Sequence, residues 1–341
     1  MKAYIVLENG QIFEGKRFGA EGDAIGELVF TTTMGSYMET LTDPCYYGQI
    51  VLQTFPLIGN YGIVTQDISS DKVQVAGYVI RDLCEAPSNF RCEGDLDSFL
   101  KKQGVVGIYG VDTRELTRII RENGVMTAKI MSEKPTNAEM TYEIRGALQA
   151  VATGEAKEYK AENAKCNVAV LNLGATQGIA DALVKRGCNV CELPYDTVAD
   201  KLLGFDALVL SAGPGDPAEN VDVIKTVGAV FGKLPIFGIG LGHQVLALAA
   251  GAKTEKLKVG HRGANVPVRD INGGRVYITA QNHGYAVIND TLPAEEKLIF
   301  ENANDKTCEG VEYEGKKAFS IQFQPERTAF LYDKFIEMVG E

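Results

Sequence analysis

Histidine is scarce: only His243, His261 and His283 occur among 341 residues. That narrows the room for imidazole catalysis and for metal clusters before any motif is read. An excess of positive charge is also missing. Lys and Arg number 34 against 45 Asp and Glu, a formal net charge of −11, whereas a nucleic-acid binder needs a basic stripe to displace counterions. No apolar run approaches the ~20 residues that cross a bilayer. Met1-Lys2-Ala3-Tyr4 leads straight into a strand-like Ile5-Val6-Leu7, without the pattern of a leader. A soluble, cytoplasmic chain with no nucleic-acid and no membrane partner is expected. A secreted disulfide framework is excluded too, because the seven cysteines are odd in number and scattered. What is present is length and apolar content, 45% of residues, sufficient for roughly two domains.

The apolar rhythm changes along the chain. Residues 1–130 hold short β-like runs broken by glycine: 4–7, 27–30, 49–52 and 73–80. A helix is expected from Asp97 to Lys102, closed by Gly104. A second begins at Asp112, with Glu115 at capping-box spacing, carries Leu116, Ile119 and Ile120 on one face, and ends at Gly124. This half reads as α+β. The stretch from Thr153 to Asn163 is polar and lacks an apolar face, so the expected division is a domain over 1–150, a linker over 151–165 and a second domain over 166–341. From 166 the order becomes strand, helix, strand. The runs 168–171, 207–210 and 235–238 are continuously apolar, as in strands buried on both faces of a parallel sheet. The second half is therefore expected to be doubly wound α/β, with its ligand beyond the C-terminal strand ends.

Two of those strand ends carry the chemistry. One leads into Ser211-Ala212-Gly213-Pro214-Gly215, a tight turn that exposes backbone N–H groups as an anion cradle. The other leads into Gly238-Ile239-Gly240-Leu241-Gly242-His243-Gln244, with small residues two before and two after the centre, the shape of a nucleophile elbow. The centre of an elbow should be Ser or Cys; here it is Gly240. A dinucleotide fingerprint would need glycine where His243 stands, and no ribose-binding acid follows at the right distance.

Along nearly its whole length the chain resembles the small, glutamine amidotransferase subunit of carbamoyl phosphate synthetases. The N-terminal half carries this in Leu41-Thr42-Asp43-Pro44, Pro56-Leu57-Ile58-Gly59-Asn60-Tyr61-Gly62, Pro87-Ser88-Asn89-Phe90-Arg91 and Gly110-Val111-Asp112-Thr113-Arg114. The C-terminal half carries it in Gly213-Pro214-Gly215-Asp216-Pro217, Leu241-Gly242-His243-Gln244, Gly251-Ala252-Lys253-Thr254 and Gln281-Asn282-His283-Gly284. The resemblance implies an N-terminal interface domain followed by a class I glutamine amidotransferase-like domain. The family uses a Cys-His-Glu triad to release ammonia from L-glutamine, for a large synthetase subunit that consumes bicarbonate and ATP. ATP and magnesium belong to that partner; no cofactor and no metal are expected in this chain.

By position in the motifs, the triad falls on Gly240, Gln324 and Glu326, and only Glu326 matches the family. Glycine cannot attack, and an amide cannot accept and return a proton near neutral pH. The glutamine-holding positions fall on Cys45, Gly213, Gly215, Leu241, Gln244, Asn282, Gly284 and Tyr285. Cys45 replaces a family serine, and Tyr285 stands where phenylalanine is common. Further departures are Ala212 for asparagine, Gly260-His261-Arg262-Gly263 for Gly-His-His-Gly, Arg327-Thr328-Ala329-Phe330 after the Pro-Glu pair, and Thr33-Met34-Gly35-Ser36-Tyr37. So many changes around one pocket suggest a diverged paralogue.

Three functions remain open on the sequence. The chain is a docking small subunit that has lost its own glutamine hydrolysis, a glutamine-binding regulatory pseudoenzyme, or a glutaminase with a relocated nucleophile such as Cys45. Cys188-Asn189-Val190-Cys191 enters a strand, so its two sulfurs should face opposite sides and serve structure. His261 and His283 have no acidic or cysteine neighbour at metal-ligand spacing in the sequence, and no zinc site is expected.

Overall fold

A computed structural model describes residues 1–134, 140–152 and 154–340. The chain forms two compact units, Met1–Arg145 and Gly146–Glu341.

The first unit is built on a closed barrel. Its strands run in the order Lys2–Leu7, Ile12–Gly19, Val106–Tyr109, Gly77–Val79, Gln49–Gln53, Ala24–Thr31 and Met126–Met131, and the last pairs back to the first. The three central pairings are parallel and the others antiparallel. Closure leaves no free edge. Of the apolar run 73–80 only Gly77–Val79 is strand. Helix Leu96–Gln103 is capped by Asp95, which accepts from the Ser98 N–H at 2.8 Å, and stops at Gly104 with φ 74°. Helix Thr113–Asn123 buries Leu116, Ile119 and Ile120 and is capped by Asp112, which accepts from the Glu115 N–H at 3.0 Å. Only half of the expected capping box forms. The Glu115 carboxylate instead accepts from Arg118 at 2.6 Å.

The second unit is a ten-stranded sheet. Its parallel centre is Cys188–Pro194, Cys166–Asn172, Ala207–Leu210, Ile236–Ile239 and Ala318–Ile321. Antiparallel strands Cys308–Tyr313, Glu296–Asn302, Thr254–Asp270 and Val276–Val287 extend it on one side. Two cores flank it, one around Leu171, Leu210 and Val245 and the other around Val170, Phe237 and Phe335. The stretch read as a linker is partly built into this unit. Lys157–Tyr159 pairs antiparallel with Cys188–Pro194 as the outermost strand, and the helix Ala147–Val151 ahead of it, expected up to residue 150 to fall in the first domain, also belongs to this unit. The mostly polar sequence of Lys157–Tyr159 suits a short edge strand, where only Tyr159 packs against the sheet's core, and an apolar-face criterion overlooks it. Of the C-x-x-C pair, Cys188 packs in one core and Cys191 against the other, so the two sulfurs do face opposite sides.

Candidate functional site

The two glycine-rich turns emerge beside each other at the C-terminal ends of neighbouring parallel strands. Strand Ala207–Leu210 runs into Ser211, fully buried, whose hydroxyl accepts from the Leu173 N–H at 2.8 Å and donates to the Ala212 carbonyl at 2.9 Å. A Cβ on Gly213 would lie 1.8 Å from the Leu173 carbonyl oxygen, so only glycine fits where the two loops cross. Strand Ile236–Ile239 ends at Gly240, and helix Leu241–Ala249 starts on the next residue. The turn is tight because its flanks lack side chains. A Cβ on Gly238 would meet the Gly242 carbonyl at 2.8 Å, and one on Gly242 would meet the Leu210 carbonyl at 2.3 Å.

At the centre Gly240 adopts φ 57°, ψ −111°. L residues pay strain for that conformation, and enzymes tolerate it to expose a nucleophile. A Cβ there would point across to Ala212 Cβ at 3.0 Å and past the Gln322 carbonyl at 3.9 Å. The elbow is intact and carries no reacting atom. Leu241 closes over the same turn, its Cδ2 lying 2.9 Å from a Cβ position on Gly213.

The third segment follows strand Ala318–Ile321. Gln324 donates its backbone N–H to the Ala280 carbonyl at 3.0 Å, ahead of the 3-10 turn Pro325–Thr328. Gln324 and Glu326 make no side-chain hydrogen bond with each other. Burial pushes the Glu326 carboxyl above its ordinary range, although part of the residue reaches solvent. Gln244, one turn into the helix, donates to the Tyr285 carbonyl at 2.7 Å and to Gln322 Oε1 at 2.8 Å. Gly213, Gly240, Leu241, Gln244 and Tyr285 are thus joined through direct contacts. Asn282 and Gly284 lie on the strand Val276–Val287 that also holds Tyr285, with Asn282 in register opposite Arg262. Gly215, at φ 87°, follows on the Gly-Pro-Gly turn. Cys45 belongs to the other unit, where it sits in the turn Pro44–Tyr46 with 9% of its surface exposed.

None of the three histidines hydrogen-bonds to Gly240 or Gln324. His243 is fully buried beneath the helix, with Nδ1 2.7 Å from the Ser320 hydroxyl, and burial drives its pKa down to about 3. His261 places Nε2 2.8 Å from Asp305 Oδ2 and Nδ1 3.6 Å from Glu309 Oε1. Burial opposes its charge, but the two carboxylates outweigh it and lift the imidazole to about 9. His283 donates through Nδ1 to the Tyr285 carbonyl at 2.8 Å, and burial, then the charge of His261, holds it well below its usual value.

The expectation that neither His261 nor His283 has an acidic neighbour is corrected in three dimensions. The ligand atoms of His261, His283 and Glu309 lie within 4.8 Å of one another. Sequence spacing missed this because the hairpin register, which pairs His261 with His283, brings in Glu309 from a third strand. The fully buried Glu309 carboxylate already accepts from Gln281 at 2.9 Å and Asn302 at 3.0 Å. With His261 protonated its charge is matched, and the buried guanidinium of Arg262 adds a further positive charge nearby.

The family models agree with the two-unit division. Residues 5–130 match the carbamoyl-phosphate synthase small chain, CPSase domain, and residues 169–337 match glutamine amidotransferase class-I. The carbamoyl phosphate synthase small chain of Clostridium perfringens is 44% identical, with 99% of each chain covered. The chain belongs to the carbamoyl phosphate synthase small-chain family. The small chain of Archaeoglobus fulgidus is 42% identical over 100% of this chain and 99% of its own. A glutamine amidotransferase of Thermotoga maritima, known as a crystal structure, is 19% identical over 50% of this chain and 83% of its own, with a TM-score of 0.40. Membership of the small-chain family implies a large-subunit partner. Among the described residues no helix is long and apolar enough to cross a membrane.

Proposed function

We propose that this small chain docks on a large synthetase subunit without hydrolysing glutamine itself, leaving the complex to draw on free ammonia. The observation that carries the reading is Gly240, a glycine at φ 57°, ψ −111° where the elbow would present a nucleophile. The fate of the histidines supports it. None hydrogen-bonds to the elbow, and His243, the nearest in sequence, is buried with its ring on Ser320 and Cys308. No thiol–imidazole pair is therefore available at Gly240 to split one difficult step into two. ATP and magnesium are assigned to the large subunit and no cofactor to this chain.

A second reading, a regulator that binds glutamine without turning it over, is favoured by one observation. Gln244 still ties the elbow helix to Tyr285 and Gln322, which keeps the pocket framework assembled. A relocated nucleophile at Cys45 is supported less, since the residue is 9% exposed in its own unit. Two assays separate the readings: glutamate release with and without a large subunit, and calorimetric titration with L-glutamine. No release together with co-purification supports docking, whereas glutamine binding without release supports the regulator. Turnover at the rate of an intact small chain overturns both.

A further inference from the structure

One pair of thiols lies outside the elbow site. Strands Cys166–Asn172 and Cys188–Pro194 run parallel, and their first residues, Cys166 and Cys188, are register partners. Register partners on adjacent parallel strands point to the same face, and strand spacing near 4.8 Å falls inside the Cα separation that a disulfide spans. The two Sγ atoms are already 3.4 Å apart. Cys188 is fully buried and Cys166 only half-buried, so one thiol is reachable and the other waits behind it.

A cleft of about 730 Å³ opens at these strand starts, lined by Lys165 and Gly187, the immediate neighbours of the two cysteines, and by Lys160, Lys185 and Arg186. Lys160 is paired with Glu158 at 3.1 Å and Arg186 with Asp333 at 2.6 Å. Lys165 and Lys185 make no ion pair among the described residues, and neither do Glu162 and Glu337 on the same lining, so the unpaired charges of the cleft balance.

We propose that Cys166 and Cys188 are a dithiol modification site, closed to an intrachain disulfide by a small disulfide of the glutathione class. The Cys166 thiolate attacks one reagent sulfur, breaks the reagent S–S bond and releases one thiol, which takes up the Cys166 proton. Cys188 gives its proton to solvent and attacks Cys166 Sγ, releasing the second reagent thiol. Two protein thiols are oxidised and one small disulfide is reduced to two thiols. The order follows from access. Burial, then the neighbouring Cys166, pushes the Cys188 thiol up to about 12, so its attack comes second and depends on the 3.4 Å approach of the two sulfurs. The product ties together the starts of two strands in the sheet that presents the elbow.

The test uses the full chain carrying Cys191→Ser, because Cys191 shares a tryptic peptide with Cys188. The folded protein is treated with glutathione disulfide, acid-quenched, alkylated and digested for mass spectrometry. The expected result is a peptide pair joined through Cys166 and Cys188, with two thiols lost from alkylation. Cys188→Ser should stop at a glutathione adduct on Cys166, with circular dichroism confirming that the variant is folded. An adduct that persists on Cys166 with Cys188 present, full alkylation of both thiols, or linkage only in urea would overturn the dithiol.

Discussion

Returning a cysteine to position 240 tests both the elbow's strain and the pocket's integrity. The backbone at φ 57°, ψ −111° costs an L side chain about 1–3 kcal/mol. The new Cβ also lands 3.0 Å from Ala212 Cβ, so that methyl must yield slightly. Gly240→Cys and the control Gly240→Ala should therefore each lose about 1–3 kcal/mol, read as a midpoint drop of roughly 2–4 °C for each kcal/mol in a unit of this size. Folding survives, because ordinary stabilities are about 5–15 kcal/mol. Adding Gln324→His supplies a base on the segment whose Gln322 carbonyl passes 3.9 Å from that Cβ. Glutamate release by the double variant should rise at least about tenfold above either single variant, since nucleophile and base act as a unit. Thermal unfolding and a coupled glutamate assay read the two effects. A Gly240→Ala protein as stable as the parent would refute the strained elbow. A folded double variant that releases no glutamate would refute an otherwise sound pocket.

Gly213→Ala should be far more damaging than Gly240→Ala, because its Cβ would lie 1.8 Å from the Leu173 carbonyl oxygen; soluble yield and urea midpoint measure it, and a near-neutral result would contradict the loop crossing. His261 is raised to about 9 in the folded chain from an ordinary value near 6.5. Its contribution is therefore complete below pH ~6.5 and lost as pH rises through ~9, an upper bound of roughly 3 kcal/mol. Denaturation across that range should show the decline in the parent and a flatter profile in His261→Asn. Phe90 is 96% exposed on a motif shared with the family. Phe90→Ala should weaken co-purification with a large subunit by about tenfold or more while leaving the melting midpoint unchanged; unaltered association would remove Phe90 from the docking surface.

The doubly wound half was readable because strands buried on both faces leave continuous apolar runs, as at 207–210 and 235–238, and because the elbow needs small residues at 238 and 242. The Asp112 helix was readable from its cap and its one apolar face. Barrel closure was not, since it depends on pairing Lys2–Leu7 with Met126–Met131, and no local pattern encodes so distant a register. The long hairpin Thr254–Asp270 and Val276–Val287 mixes buried and exposed positions irregularly, with register shifts, and gives no clean alternation. The charged network of His261, Asp305 and Glu309 and the Cys166–Cys188 pair share that cause. Both are products of strand register, so residues far apart in the chain become neighbours only in the folded sheet. Around the elbow, Gly240, Gln244 and Tyr285 were expected from the motifs, whereas Ser320 and Gln322 became visible only through their hydrogen bonds.

The central claim is that an intact elbow without a nucleophile leaves this small chain unable to hydrolyse glutamine. Glutamate release from L-glutamine by the purified chain, alone and bound to a large synthetase subunit, tests it most directly. Release at the uncatalysed background in both states, with the complex still forming carbamoyl phosphate from ammonium, is the expected result. Turnover comparable to that of a small chain with cysteine at the elbow would contradict it.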